Sequence, residues 1–353
     1  MNKNIISVFL FSIMFVGTNF AQTSIGKYAG EFLALGVGGR ALGMGGASVA
    51  AVNDVTSGYW NPAGLAHLDY PQISLMHEEH FGNLVNYNYA AVAIPYGKDM
   101  SFGISAIRLG IDGISDTRDA GVDRETGESI NLLDPNWQTL HPNWGLDRTK
   151  ITEFSNTDYA FFLTFAKRHS ENLYWGANVK IIRRDIAEFG ATGIGFDIGA
   201  VYIPMDNLTL GANIMDVTTT LLAWDTGRNE LISPTTKIGA AYTLNILGGV
   251  FTPALDFDIR FENRRSSANF NLGPISFDAR FGLEYNYNNL FAIRGGYNDV
   301  KQFTVGAGVK LPKLNIDYSF ARFSDSEENR LPDTHRISLI LTLEEPKFLR
   351  NED

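Results

Sequence analysis

The sequence predicts an all-β protein, a transmembrane antiparallel β-barrel of about fourteen strands with an N-terminal plug segment ahead of it. Three observations point there: an export signal at the start, long stretches of strict two-residue alternation, and connections that are alternately short and long.

The chain of 353 residues opens with Met1, Asn2, Lys3 and Asn4, an apolar run from Ile5 to Val16, and small or polar residues to Ala21 before Gln22. A basic start, a short apolar middle and a small residue at the cut form a secretory signal, so residues 1–21 are expected to be removed. The apolar run is shorter than the ~20 residues a membrane helix needs, and no later stretch is long enough. There is no cysteine, so no disulfide framework or thiolate metal site is expected. A net charge of -10 and a pI of 5.1 repel phosphate, which disfavours nucleic acid as a partner. The 35 Gly, 14 Tyr and 24 Phe suit strands, tight turns and aromatic girdles better than helices.

The alternation is clearest from Phe251 to Glu262 and from Ile275 to Tyr287. In the second, Ile275, Phe277, Ala279, Phe281, Leu283, Tyr285 and Tyr287 share one face, while Ser276, Asp278, Arg280, Glu284 and Asn286 share the other. A helix would scatter both sets around its circumference. Weaker copies start near Ile73, Val85, Met100, Tyr159, Leu173, Ile194, Leu208, Ile238, Phe291, Phe303, Leu314 and Ile337. Many run about 9–11 residues, the length a tilted strand needs to cross hydrocarbon. Short connections near Pro95, Lys167, Pro204, Asn245, Asn286 and Leu311 alternate with longer ones, among them 110–156, 215–234, 262–274 and 323–335. Short turns belong to the periplasmic end of outer-membrane barrels and long loops to the outer end. An even strand count then puts both termini on the periplasmic side.

The expected layout is a signal at 1–21, a Gly-rich plug at 22–70, the barrel at 71–343 and a periplasmic tail at 344–353. A barrel this wide cannot be filled by its own side chains, so it holds water, a plug, or both. The inward charges Lys180, Asp197, Asp256, Asp258, Arg260, Asp278, Arg280, Glu284, Arg294 and Asp317 are mixed in sign, which suggests ion pairs across the lumen rather than ion selectivity.

The plug carries Gly36, Gly38, Gly39, Arg40, Gly43, Gly45 and Gly46, then Asp54, then Asn61, Pro62, Ala63 and Gly64. Gly36, Gly38 and Ala41 fit a degenerate dinucleotide fingerprint, but no βαβ unit surrounds them, so no cofactor is expected. Close packing of glycine backbone against the barrel wall is the preferred reading, with Asn61 and Pro62 turning the chain into the first strand. The run from Gly38 to Ala50 (GGRALGMGGASVA) and the stretch from Asp54 to Ala66 ending in WNPAGLA resemble the PorV/PorQ family of outer-membrane proteins, itself similar to FadL-like carriers of hydrophobic compounds. The resemblance implies docking of secreted cargo or surface-attachment partners of type IX secretion on the outer loops, with type IX secretion components or cargo C-terminal domains as the partners. Its FadL-like side implies passive transport of a hydrophobic small molecule; a porin-like barrel without a specific ligand is the third reading.

His77, Glu78, Glu79 and His80 end a strand and lack the helical spacing of a zinc site. Asp112 to Glu128 is acidic without calcium-loop spacing, so no metal is expected. No triad or nucleophile elbow is present, so enzymatic activity is not expected. The candidate contact residues are Trp137 and Trp144 on the longest loop and Leu221, Leu222 and Trp224 on the loop at 215–234, together with the surrounding membrane lipid.

Overall fold

The computed structural model describes residues 30–80, 84–261, 268–324 and 333–350, and the backbone of Thr23–Ile25. The expected signal at 1–21, the tips of three loops and the last three residues of the tail lie outside the described residues. Among the described residues no helix is long and apolar enough to cross a membrane.

The barrel strands are β1 (Gln72–His80), β2 (Val85–Tyr96), β3 (Met100–Asp116), β4 (Thr152–Arg168), β5 (Leu173–Ile186), β6 (Phe189–Met205), β7 (Leu208–Met215), β8 (Thr235–Tyr242), β9 (Gly249–Arg260), β10 (Ile275–Tyr287), β11 (Phe291–Tyr297), β12 (Gln302–Leu311), β13 (Leu314–Phe323) and β14 (Thr334–Thr342). Each pairs antiparallel with the next, and β14 returns to β1 from Gln72↔Thr342 to Glu79↔His335. The result is a closed fourteen-stranded antiparallel barrel. Closure is what hydrocarbon demands, because an open edge would leave N–H and C=O groups without partners.

Side-chain alternation fixes which face is wet. On β10, Ser276, Asp278, Arg280 and Glu284 are buried toward the lumen, whereas Phe281 and Leu283 are exposed on the outside. β3, β4 and β6 each run 17 residues, longer than the hydrocarbon requires. Their extra length lies at the loop end and shortens the connections read from the sequence. The loop between β3 and β4 therefore begins after Asp116, not Gly110, and carries a small sheet of Gly121–Asp123, Ser129–Ile130 and Trp144–Leu146.

The loop between β7 and β8 is a further departure from expectation. β7 stops at Met215, and a hairpin of Thr220–Trp224 and Asn229–Ile232 continues the wall in its place, pairing Ile194↔Leu221 through Ala191↔Trp224. Leu222 is thereby fully buried and offers no outward surface. Backbone groups left unpaired on β6 by the early end of β7 are the physical reason the loop joins the wall.

The position of the chain's start also differs. Thr23–Ile25 pairs in parallel with Asn229–Leu231 on that hairpin, so the described chain begins at the loop end and descends through the lumen to β1. An even strand count fixes only where β1 begins and β14 ends, which is the short-turn end. At that end the tail does not hang free. Arg350, its side chain 3% exposed, donates to the carbonyls of Leu68 (2.6 Å) and Met100 (2.7 Å) and to Ser101 Oγ.

Leu163 faces lipid on β4 between the aromatic levels of Tyr159 and Phe165 and is 53% exposed. Leu163→Arg should lower the barrel's stability in phospholipid vesicles by about 2–4 kcal/mol, measured by reversible urea unfolding. An unchanged midpoint would mean that this face does not meet hydrocarbon.

Candidate functional site: the hatch and the cavity above it

Residues 30–71 occupy the lumen as a hatch with only short regular elements. Gly39–Gly43 forms a five-residue helix, Ser57–Trp60 a single turn, and Pro62–His67 a 3-10 helix. Short elements of this kind leave many N–H and C=O groups unmatched, and here tertiary contacts take them. Asn61 is fully buried; its Oδ1 accepts from Ala63 N, while its Nδ2 donates to Val49 O (2.8 Å) and Ala200 O (3.1 Å). Asn61 thus caps the helix opened by Pro62 and ties it both to the hatch and to β6, a larger role than a turn into β1. Trp60 Nε1 donates to Val37 O, and Asp54 accepts from Thr56 N.

The wall supplies the remaining partners. Asp256 accepts the N–H groups of Ser48 (2.6 Å) and Val49 (2.8 Å), Ser338 accepts from Gly39 N, Thr304 donates to Gly43 O, Asn178 to Gly58 O and Asn213 to Trp60 O. At several places where hatch backbone meets the wall, the wall residue is glycine. A Cβ at Gly176 would lie 2.6 Å from the carbonyl carbon of Pro62, one at Gly282 2.6 Å from Met44 O, and at Gly211 and Gly296 the approach to backbone is closer still, while one at Gly199 would meet the side chains of Asn61 and Pro62. Gly45, at φ +66°, sits against Tyr297 and Phe281 from the hatch side. These wall glycines were not singled out from sequence. The available signal was glycine at inward positions of otherwise regular strands, which marks close backbone approach.

Charge fastens the hatch on one side. Arg40 bonds both carboxylate oxygens of Glu284 at 3.0 Å and reaches Asn53; Glu284 also accepts from Arg294, which bonds Asp317 at 2.7 Å. Elsewhere in the lumen Lys180 bridges Asp197 and Asp216, and Asp258 holds both Lys237 and Arg280. A bidentate arginine in a low-dielectric lumen is directional as well as attractive.

At the short-turn end Arg168 donates to Ala66 O and Asp69, beside Arg350. His67 packs against Tyr174 with ring centroids 4.2 Å apart and the ring planes tilted by 38°. Burial first, then the neighbouring Arg168, disfavours the imidazolium and lowers its pKa to about 4.

The hatch divides the free space. Above it, at the loop end, lies a cavity of about 490 Å³ whose apolar lining includes Phe32, Leu35, Leu42, Val85, Leu109, Ile111 and Phe323, with Arg184, Arg260, Arg280 and Arg336 among its polar groups. Below it lies a separate polar space of about 290 Å³ lined by Arg40, Asn53, Asp54, Glu284, Lys310 and Asp317. The motif residues Gly38, Gly39, Arg40, Gly43, Gly45, Gly46, Asp54, Asn61, Pro62, Ala63 and Gly64 are all gathered in this partition. The loop residues are not gathered. Trp137 and Trp144 pack edge to face on the long loop at 4.5 Å, while Leu222 is buried and Trp224 lies near Arg184 in the wall.

No protein-family model matches the chain, and no curated protein matches it. Solved structures do. The Ralstonia pickettii toluene transporter TbuX is similar with a TM-score of 0.57 and 14% identity over 87% of this chain and 98% of its own. The Pseudomonas putida toluene transporter TodX gives 0.54 and 14% over 87% and 97%, and a Pseudomonas aeruginosa FadL homologue 0.53 and 13% over 87% and 98%. The shared feature is the fold, a FadL-like outer-membrane barrel.

Two outcomes follow from the partition. Gly199→Val should press on Asn61 and Pro62, cost about 1–3 kcal/mol as overpacking, and speed protease cleavage within residues 40–66 while the barrel stays folded; wild-type protection would show that the contact is not tight. His67 is neutral in the fold but titrates near 6.5 once unfolded, so the unfolded chain takes up the extra proton and stability falls as pH drops from about 6.5 to about 4. Thermal melts across that window should show the decline, and His67→Asn should flatten it; equal slopes for the two proteins would remove His67 from the account.

Proposed function

We propose that this barrel carries hydrophobic small molecules passively across the outer membrane. The observation that carries the reading is the 490 Å³ cavity at the loop end, whose floor is Phe32, Leu35 and Leu42 of the hatch itself. Ligand sites are concave, mostly apolar and supplied with a few polar groups, and this cavity has that composition. A molecule seated there touches the moving part it must pass. Onward travel then requires the helix Gly39–Gly43 to shift, and the Arg40 and Glu284 link is what holds that helix.

Two of the similar structures, TbuX and TodX, are toluene transporters, which supports transport over docking of secretion components. Docking has one observation of its own: Leu133, Leu140 and Trp144 are 70%, 63% and 37% exposed on the long loop. That cluster also suits collection of an apolar ligand ahead of the cavity, so it does not separate the two readings.

Uptake of radiolabelled toluene by cells lacking their own outer-membrane carrier provides the test. Expression of the chain should raise the initial rate severalfold over empty vector, and Leu42→Trp, which fills the cavity floor, should return it close to the vector rate. Equal rates with and without the chain would end the transport reading for this class of compound, and full uptake by Leu42→Trp would remove the cavity from the route.

A further inference from the structure

The outer surface of β14 and of β1 to β4 carries a groove of about 520 Å³ on the side that faces lipid. Its origin is sequence. Ala90 and Ala106 are cross-strand partners on β2 and β3, and their neighbours in the same row are Leu75 on β1 and Phe161 on β4. Two small side chains between two large ones leave a trough. It is deep enough to reach Met76 and Ile107, whose side chains otherwise face the lumen.

One residue pair closer to the loop end, the next outward-facing row is His77, Asn88, Arg108 and Tyr159. His77 is engaged already, with Nδ1 2.8 Å from Asn88 Oδ1 and Nε2 3.4 Å from Glu79. Arg108 differs: among the described residues it has no ion-pair partner and no side-chain hydrogen bond. Its guanidinium lies over Gly110, where an added Cβ would be 2.7 Å from Nη1, so the side chain runs toward the loop end. This is the posture of a cation that keeps its stem in apolar surroundings and its head in the polar layer. A lipid-facing arginine costs little only near the interface, and an unpaired one there invites an anion. Guanidinium and phosphate match as a bidentate pair.

We propose that the groove binds an anionic, phosphate-bearing lipid of the surrounding leaflet, with an acyl chain over Ala90 and Ala106 and a headgroup phosphate on Arg108. Glu79 is the opposing charge in the neighbourhood, and His77 stands between it and Asn88. The site is separate from the lumen and stands or falls independently of the transport reading.

Native mass spectrometry of the full chain in detergent, titrated with dioleoylphosphatidylglycerol or dioleoylphosphatidylcholine, tests it. The wild type should retain the anionic lipid about fivefold better than the zwitterionic one, the share expected of one arginine at a membrane surface. Arg108→Gln should abolish the preference, and Ala106→Phe, which fills the trough from the lipid side, should abolish retention of both lipids. Heat-modifiable migration in gels confirms that each variant is a folded barrel. Inorganic phosphate should not compete; competition would assign the site to a free anion. No preference in the wild type, a preference surviving Arg108→Gln, or retention surviving Ala106→Phe would each overturn the proposal.

Discussion

The pairing of β1 with β14 is the contact on which the rest of the molecule depends. In hydrocarbon no water replaces a missing backbone partner, so the sheet has to close on itself. Closing fourteen strands encloses a lumen wider than strand side chains can fill. The hatch answers that constraint. It is held by being short of internal hydrogen bonds, because the groups it leaves open are those that Asp256, Ser338, Thr304, Asn178 and Asn213 of the wall take up.

Backbone contact of this kind needs room, and glycine provides it on both sides. At Gly43 and Gly306 each residue's absent side chain is the space the other occupies, an added Cβ at either meeting the other's Cα at 3.1 Å. Wall and hatch are thus fitted to each other by subtraction. Charges reinforce the fit on the β10 to β13 side, where Glu284 is shared between Arg40 of the hatch and Arg294 of the wall. The apolar cavity lies over the part of the hatch that this link restrains.

The two ends of the barrel are finished differently. At the loop end the hairpin of Thr220–Trp224 and Asn229–Ile232 substitutes for strand that β7 does not supply, and pairs with the start of the described chain. At the short-turn end Arg350 and Arg168 bind carbonyls of residues 66–68 where the hatch leaves the lumen. The tail is therefore part of the hatch's anchorage, through a buried arginine and not through the aromatic Phe348, which is 37% exposed.

Strand number, strand faces and the alternation of turns and loops were legible in the sequence because a membrane barrel imposes a local rule on every strand: one residue to lipid, the next to the lumen. Ser276 to Glu284 on β10 follow that rule residue by residue. The inward charges were legible for the same reason, and the Gly36 to Gly46 segment stood out by composition. What only the tertiary structure decided involves contacts between residues far apart in the chain: Asn61 with Ala200, Asp256 with Ser48, Gly199 with Pro62, Arg350 with Leu68. Periodicity carries no information about such pairings, nor about which of two outer loops joins the wall. That choice turned on β7 ending at Met215, and it buried Leu222 while leaving Trp144 outside.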